Sequence, residues 1–120
     1  MSVTTSATNP DPASSAILDV RIQFAPNLPL VRLVGELDLD SHHLLTDALD
    51  AIEAAHCPGD LVVVDLEGVT FCDVAGLRAL EHCGHALQLA GKQLMLYHPP
   101  RAVTRLMTMT GVAQGFATRS

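Results

Sequence analysis

The sequence contains no tryptophan and few other aromatic residues, namely three phenylalanines and one tyrosine among 120 residues. Because 48% of the residues are nonetheless hydrophobic, the core must be built from aliphatic side chains. Such a core suits strands packed under helices. A chain of this length fits one domain with a single core.

Basic residues are scarce as well. Seven lysines and arginines against thirteen aspartates and glutamates give a formal net charge of -6 at pH 7, and the sequence has no basic run and no basic residues interleaved with aromatic ones. Direct contact with a phosphate backbone depends on such a basic patch. Nucleic acid is therefore not predicted as a direct partner.

Long apolar runs and paired cysteines are also missing. No apolar stretch approaches the roughly 20 residues that cross a bilayer, and the first residues lack the basic and apolar segments of a signal peptide. We therefore expect a cytoplasmic protein without membrane insertion. Cys57, Cys72 and Cys83 are odd in number and form no CxxC pair, which favours reduced, packed thiols over a disulfide framework.

Recognisable catalytic patterns are absent from the sequence, which has no Gly-rich phosphate loop, nucleophile elbow, metal signature or paired carboxylates. His82 and His85 stand three residues apart and could share a metal with Glu81 or Cys83. However, the helical pattern places Cys83 on an apolar stripe and both histidines on the opposite side. The sequence thus predicts no enzyme, no metal site and no other cofactor.

The N-terminal half begins with a segment unlike the rest. Residues 1–15 are rich in Ser, Thr, Asn, Pro and Ala, which cannot form a core, so we predict a disordered tail followed by one domain over residues 16–120. Alternating apolar residues predict strands over 17–24 and 30–37. The short proline-containing gap between these strands predicts an antiparallel hairpin.

Two helices and a central strand follow. Apolar residues at helical spacing from Leu44 to Ala55 predict a first helix, capped by the side chain of Asp40 or Ser41. The continuous apolar run 61–64 predicts a central strand that is covered on both faces. A second amphipathic helix after Asp73, ending at Gly91, has an apolar stripe. The stripe consists of Leu77, Leu80, Cys83, Gly84 and Leu87.

The last elements are a strand over residues 93–97 and a third helix. Pro99 and Pro100 open this helix, since proline is tolerated in a first turn, and Gly111 is the expected left-handed stop. A final edge strand is expected within residues 112–117. The inner side of the third helix is predicted to consist of Ala102, Val103, Leu106, Met107 and Thr110.

This order predicts an α/β fold. Strand-helix-strand units imply parallel crossovers, whereas the first two strands pair antiparallel, so the sheet is mixed. We expect four to five strands, with the helices packed mainly on one face.

Three segments carry a resemblance to a known family: Gly35-Glu36-Leu37-Asp38, the stretch 62–71 leading into 73–80, and Thr110-Gly111-Val112. In this order and spacing they resemble the STAS domain of bacterial anti-sigma factor antagonists, over about residues 17–117. The resemblance implies the STAS-type fold. It also implies a regulator that binds an anti-sigma factor with a histidine-kinase-like ATPase domain and thereby frees a sigma factor.

The resemblance further implies a site in the loop after the central strand. In the family this loop reads Asp-Ser-Ser-Gly and the partner phosphorylates the second serine, whereas this sequence has Asp73, Val74, Ala75 and Gly76. Neither Val74 nor Ala75 has a hydroxyl group, so the usual phosphorylation cannot occur at Ala75. In the family, the unphosphorylated form binds the anti-sigma factor. The resemblance therefore implies that this protein stays in the form that binds its partner, or that another input controls its binding.

The predicted partner-binding surface combines this loop with Asp38, which follows the second strand. Val74 and Leu77 are expected to supply apolar contact, with Asp73 and Arg78 at the rim. Asp73 is also expected to cap the second helix, and Gly76 to permit a tight turn or close packing. The full predicted set is Asp38, Asp73, Val74, Ala75, Gly76, Leu77 and Arg78.

Alternatives keep the fold and change the function. Stand-alone STAS domains also resemble small subunits that brace the ATPase of a lipid-transporting ABC complex, where the alanine at position 75 would be no defect. Oxidation of Cys72, directly before Asp73, would instead give a redox-controlled antagonist, although a buried cysteine at a strand end is the simpler interpretation. The possibility of a homodimer also stays open, because a short chain after Phe116 would favour dimers if it leaves an apolar patch exposed.

Overall fold

The computed structural model describes residues 18–25, 28–112 and 117–119. The elements within these residues follow the predicted order, and the predicted tail, residues 1–15, lies outside them. The elements are β1 (Leu18–Ala25), β2 (Leu28–Leu37), α1 (His42–Ala54), β3 (Leu61–Cys72), α2 (Val74–Leu89), β4 (Gln93–Tyr97), α3 (Arg101–Thr110) and β5 (Ala117–Arg119).

The described strands form one mixed sheet in the order β1-β2-β3-β4-β5. Strands β1 and β2 form the predicted antiparallel hairpin, in which Leu18 lies opposite Gly35. Strands β2, β3, β4 and β5 are parallel neighbours. The apolar run at residues 61–64 therefore begins the central strand, as predicted.

The helices of the described residues form one layer on one face of the sheet, since α1 contacts α2 and α2 contacts α3. This layer and the sheet enclose an aliphatic core, as the scarcity of aromatic residues predicted. Each fully buried aliphatic side chain contributes about 1.5–3 kcal/mol of transfer free energy. None of these helices is both long and apolar enough to span a membrane. The residues that the strands contribute to this core include Val20, Ile22, Val31, Leu33, Val62, Val64, Leu66, Leu94 and Leu96.

The central strand is longer than predicted, and its predicted cover on both faces is confirmed for the apolar run. It continues past Asp65 to Cys72, so the first polar residue does not end it. Val63 is only 2% exposed, although it points away from the helical layer. Its neighbours in the register are the half-buried Leu30 and Met95. The second face of β3 is thus buried at this point although it does not face the helical layer.

The predicted inner side of the third helix is partly wrong. Val103 and Met107 are buried, whereas Ala102 and Thr110 are exposed, because a ten-residue helix at the border of the layer buries only a narrow stripe. Gly111 ends the helix with φ 74°, in the predicted left-handed conformation. The predicted edge strand exists as β5 but begins only at Ala117, and residues 113–116 lie outside the described residues.

Candidate functional site

The predicted partner-binding residues gather where two parallel strands end together. Leu37, the last residue of β2, lies beside Cys72, the last residue of β3. The loop that leads into α1 and the first turn of α2 consequently leave the sheet side by side. This arrangement brings Asp38 and Asp73 to the same edge of the sheet, as the sequence predicted.

Asp73 caps α2, as predicted, and it also binds the neighbouring loop. Its Oδ1 accepts a hydrogen bond of 2.8 Å from the backbone N–H of Gly76, which satisfies one free donor of the first turn. Its Oδ2 accepts a bond of 3.2 Å from the backbone N–H of Leu39. The negative charge also faces the positive end of the helix dipole. One carboxylate therefore fixes both loops.

Asp38 organises the entry into α1. Its Oδ1 accepts hydrogen bonds of 3.0 Å from the backbone N–H groups of Asp40 and Ser41. Ser41 is the N-cap residue, but its side chain makes no cap bond, because its hydroxyl donates to the backbone oxygen of Glu36 at 2.7 Å. The prediction that the side chain of Asp40 or Ser41 caps α1 is therefore wrong.

Gly76 sits where α2 meets the end of β2. A Cβ atom at this position would lie 2.3 Å from the backbone oxygen of Leu37 and 2.9 Å from its Cγ. Contacts this short do not occur in proteins, so only glycine fits without a backbone shift. The predicted role of Gly76 in close packing is confirmed.

The surface around Asp73 includes exposed apolar side chains. Phe71 lies two positions before Asp73 and Val74 directly follows it, and these residues are 47% and 43% exposed. Leu39, whose N–H binds Asp73, is 68% exposed. We name these residues, together with Asp38, Ala75 and Arg78, the Asp73 surface. Asp38, Asp73 and Ala75 are half-buried, and Arg78 is exposed.

Sequence reasoning missed Leu39 and Phe71 as members of this surface. The signal for Phe71 was its place directly before the loop, and the signal for Leu39 was an apolar residue between two aspartates. Conversely, Leu77 is fully buried in the core, so its predicted contact with a partner is corrected to support from beneath. Gly76 is buried as well.

Cys72 is placed below the surface. It is 6% exposed, and its thiol donates to the backbone oxygen of Asp73 at 3.4 Å. Burial, followed by the negative charges of Asp73 and Asp38, raises the pKa of this thiol to about 12. Because the thiolate is the reactive form, this environment argues against redox control through Cys72.

Potential metal ligands lie close together at two places in the described part of the chain. His82 and His85 are exposed on α2 while Cys83 is buried, so the predicted orientation is confirmed and the thiol is not beside the imidazoles. Asp65, Glu67 and His98 have ligand atoms within 4.8 Å of one another. This second group brings β3 together with the residue after β4, a proximity that sequence reasoning did not detect.

Residues 20–118 match the model of a protein family described as Mlab, STAS domain. This match covers most of the chain and includes the whole candidate site. No curated protein matches it in sequence.

Solved structures resemble the fold. The unphosphorylated anti-sigma factor antagonist SpoIIAA, whose phosphorylated form is described as a Bacillus cell fate determinant, has a TM-score of 0.66 at 16% identity, over 84% of this chain and 88% of that one. An anti-sigma factor antagonist from Mycobacterium paratuberculosis has a TM-score of 0.70 at 22% identity, over 93% and 89%.

A similar unit also occurs in a much larger protein. The murine solute carrier 26 family member A9, an anion transporter, has a TM-score of 0.69 at 16% identity, over 98% of this chain but 20% of the transporter. At these identities the likeness is one of fold.

Proposed function

The chain belongs to the STAS domain family, and from this premise we propose that it is an anti-sigma factor antagonist. In this proposal it binds an anti-sigma factor of the serine-kinase type, with a histidine-kinase-like ATPase domain, and so frees the sigma factor. Two structures of similar fold are named as anti-sigma factor antagonists, which supports the proposal. The observation that carries it is the Asp73 surface, where exposed apolar side chains adjoin fixed acidic groups.

The apolar members of this surface supply a reason for association. Leu39, Phe71 and Val74 are all more than 40% exposed, and protein interfaces have apolar, aromatic-rich centres with polar rims. Burying apolar area contributes about 25 cal/mol per Å². In the proposed complex these three side chains form the centre, and Asp38 and Arg78 lie at the rim.

The loops of the Asp73 surface are held in place before a partner arrives. The hydrogen bonds from Leu39 and Gly76 to Asp73 fix two backbone segments at once. Segments that are already ordered lose less conformational entropy on binding. The proposed contact therefore forms without a folding step in this part of the chain.

The half-buried Ala75 gives the proposal its second part. A phosphate here would add about -1.5 to -2 charges next to Asp73 and disturb a fitted contact. The methyl side chain cannot accept a phosphate, so the contact surface stays uncharged at this point. In our proposal the protein is therefore constitutively ready to bind, and its activity is set by its amount or by another input.

A binding measurement tests the proposal. The purified chain is titrated with a histidine-kinase-like anti-sigma factor from the same genome, and a second sample is incubated with that kinase and labelled ATP. We expect binding and no phosphate uptake. Val74→Asp should weaken binding at least tenfold, whereas Leu89→Asp, at the opposite end of α2 where Leu89 is 80% exposed, should not.

Two results would contradict the proposal. Unchanged binding of a folded Val74→Asp variant would show that the Asp73 surface is not the contact. Phosphate uptake by the wild-type chain would show that another hydroxyl group replaces the missing serine.

A second candidate function is that of a subunit that braces the ATPase of a lipid-transporting ABC complex. Two observations favour it: Ala75 has no hydroxyl group, which this function does not need, and the matching family model is not described as an antagonist. Co-purification with an ABC ATPase and no affinity for any kinase-type anti-sigma factor would decide for this function. A sigma or anti-sigma gene beside this one would favour the first.

A further inference from the structure

The face of the sheet opposite the helices carries an unusual group of polar residues. Asp65, at the middle of β3, is 8% exposed although it is a carboxylate. It lies in a groove of about 380 Å³ that is also lined by Arg32, Val34, Glu67 and Gly68. Carboxylates are rarely this buried unless they are paired or coordinate a metal.

His98 approaches both carboxylates of this face with the same ring atom. Its Nδ1 lies 3.4 Å from Oδ1 of Asp65 and 3.7 Å from Oε2 of Glu67. The three ligand atoms are all within 4.8 Å of one another. His98 is 33 positions from Asp65 in the chain, so the parallel pairing of β3 with β4 creates this group.

The contact with Asp65 is a long hydrogen bond, and both distances also suit ligand atoms of a shared ion. Charge-assisted N–H···O bonds measure about 2.7–2.9 Å, shorter than both contacts. In a tetrahedral site with bonds of about 2.0–2.2 Å, neighbouring ligand atoms are about 3.3–3.6 Å apart. The Asp65 and Glu67 contacts of His98 lie at or close to that spacing.

We propose that Asp65, Glu67 and His98 form a binding site for Zn²⁺. One imidazole nitrogen and two carboxylate oxygens are a donor set that zinc accepts, whereas Mg²⁺ and Ca²⁺ prefer oxygen alone. Three protein ligands leave the fourth tetrahedral position for water or for a group of a partner. Glu67 and His98 are exposed, so the ion has a path from solvent.

Neighbouring groups hold the buried ligand in position. Arg32 Nε lies 3.6 Å from Oδ2 of Asp65, on the carboxylate oxygen that does not face His98, and the N–H of Glu67 donates to Oδ1 at 3.0 Å. Partners of this kind orient a ligand and tune its affinity. With Arg32 counted, the two carboxylates still leave one net negative charge for the cation.

The inference does not rest on the proposed function, because none of the three ligands belongs to the Asp73 surface. A bound ion would join β3 to the corner between β4 and α3, where His98 has a positive φ of 53°. It would therefore also stabilise the folded chain in proportion to its occupancy.

The test is a calorimetric titration of the full chain with Zn²⁺ in a buffer free of chelators. We expect one ion per chain and at least tenfold weaker binding for Glu67→Gln and for His98→Asn. Asparagine is chosen because it tolerates a positive φ, so the backbone at position 98 is kept. The matched control is the pair Glu81→Gln and His82→Asn, an exposed acid and imidazole on α2, which should bind zinc like the wild type.

Two further readouts make the result decisive. Zinc should raise the thermal midpoint of the wild type and of the control, but not of His98→Asn. Co²⁺ in place of zinc should give the visible absorption of a four-coordinate site without a thiolate charge-transfer band. The absence of wild-type binding, binding as tight as that of the wild type in Glu67→Gln and His98→Asn, or a thiolate band would each overturn the inference.

Discussion

The backbone N–H of Leu39 donates a hydrogen bond of 3.2 Å to Oδ2 of Asp73, across 34 positions of the chain. The other oxygen of the same carboxylate accepts from the N–H of Gly76. A single side chain thus satisfies backbone groups of two segments that leave neighbouring parallel strands. The proposed partner binding would involve the same residue that stabilises these two segments, so the two effects must be separated by the choice of substitution.

Asp73→Asn and Asp73→Ala should differ in stability. Asparagine keeps an oxygen that accepts from the N–H of Gly76. It places its side-chain NH2 group, which cannot accept a hydrogen bond, opposite the N–H of Leu39. Alanine loses both bonds. We expect a loss of about 1–2 kcal/mol for alanine and about half of that for asparagine.

Urea unfolding measures both variants, with Asp47→Ala on the exposed side of α1 as the control that should change by less than about 0.5 kcal/mol. Equal losses for asparagine and alanine would show that the bond to Gly76 contributes nothing, and an asparagine variant as stable as the wild type would show the same for the bond to Leu39.

Gly76→Ala should destabilise the fold more than its small size suggests. The new Cβ would lie 2.3 Å from the backbone oxygen of Leu37, so α2 or the end of β2 must move. We expect a loss of about 2–3 kcal/mol. Gly91→Asn is the control, since its Cβ meets no atom within 4 Å and asparagine tolerates the positive φ; a loss as large as that of Gly76→Ala would refute this account.

Much of the fold followed from periodicity, because alternation and helical spacing report which faces are buried. The apolar stripe of α2 is one case: Leu77 belongs to it and is fully buried. Its assignment to a partner surface came from the resemblance and went against the pattern. Where the two disagreed, the burial pattern was the better guide.

What the sequence did not predict depends on register between distant segments. Strand β3 passes through Asp65 because a polar side chain can face the groove while its neighbours pack in the core. The register of β2 and β3 shifts between Arg32 and Val34 and again between Gly35 and Glu36. These shifts decide that Leu37 meets Cys72, and hence that Leu39 reaches Asp73, and no local pattern encodes them.

Ala75→Ser should restore the missing phosphate acceptor. Serine replaces a half-buried alanine in the first turn of α2, where its effect on stability is below about 0.5 kcal/mol. With an anti-sigma factor of the serine-kinase type and labelled ATP, we expect up to one phosphate per chain. The phosphorylated variant should then bind that anti-sigma factor more weakly. Ala86→Ser, at another half-buried alanine of the same helix, is the control and should not be labelled.

Mass spectrometry locates the phosphate. Failure of Ala75→Ser to be labelled by a kinase that binds it would mean that the loop geometry, and not only the missing hydroxyl, prevents transfer.

The two buried thiols should make stability fall in alkali. Burial is the main cause that raises the pKa of Cys72 and of Cys83 from 9.0 to about 12, helped by Asp73 and Asp38 for Cys72 and by Asp50 and Glu53 for Cys83. Between these values the unfolded chain releases protons that the folded chain keeps. The stabilisation is thus complete below pH 9 and is lost as the pH rises towards 12.

In that interval each thiol lowers the free energy of unfolding by about 1 kcal/mol per pH unit. Urea unfolding across this range measures how steeply the free energy of unfolding falls with pH. This slope should be shallower in Cys72→Ala and in Cys83→Ala, because each variant lacks one thiol that contributes a proton. Cys57→Ala, at a half-buried thiol, is the control for the loss of a cysteine side chain as such. An unchanged slope in both buried variants would mean that neither thiol keeps its proton in the folded state, and Cys72 would again be a candidate for redox control.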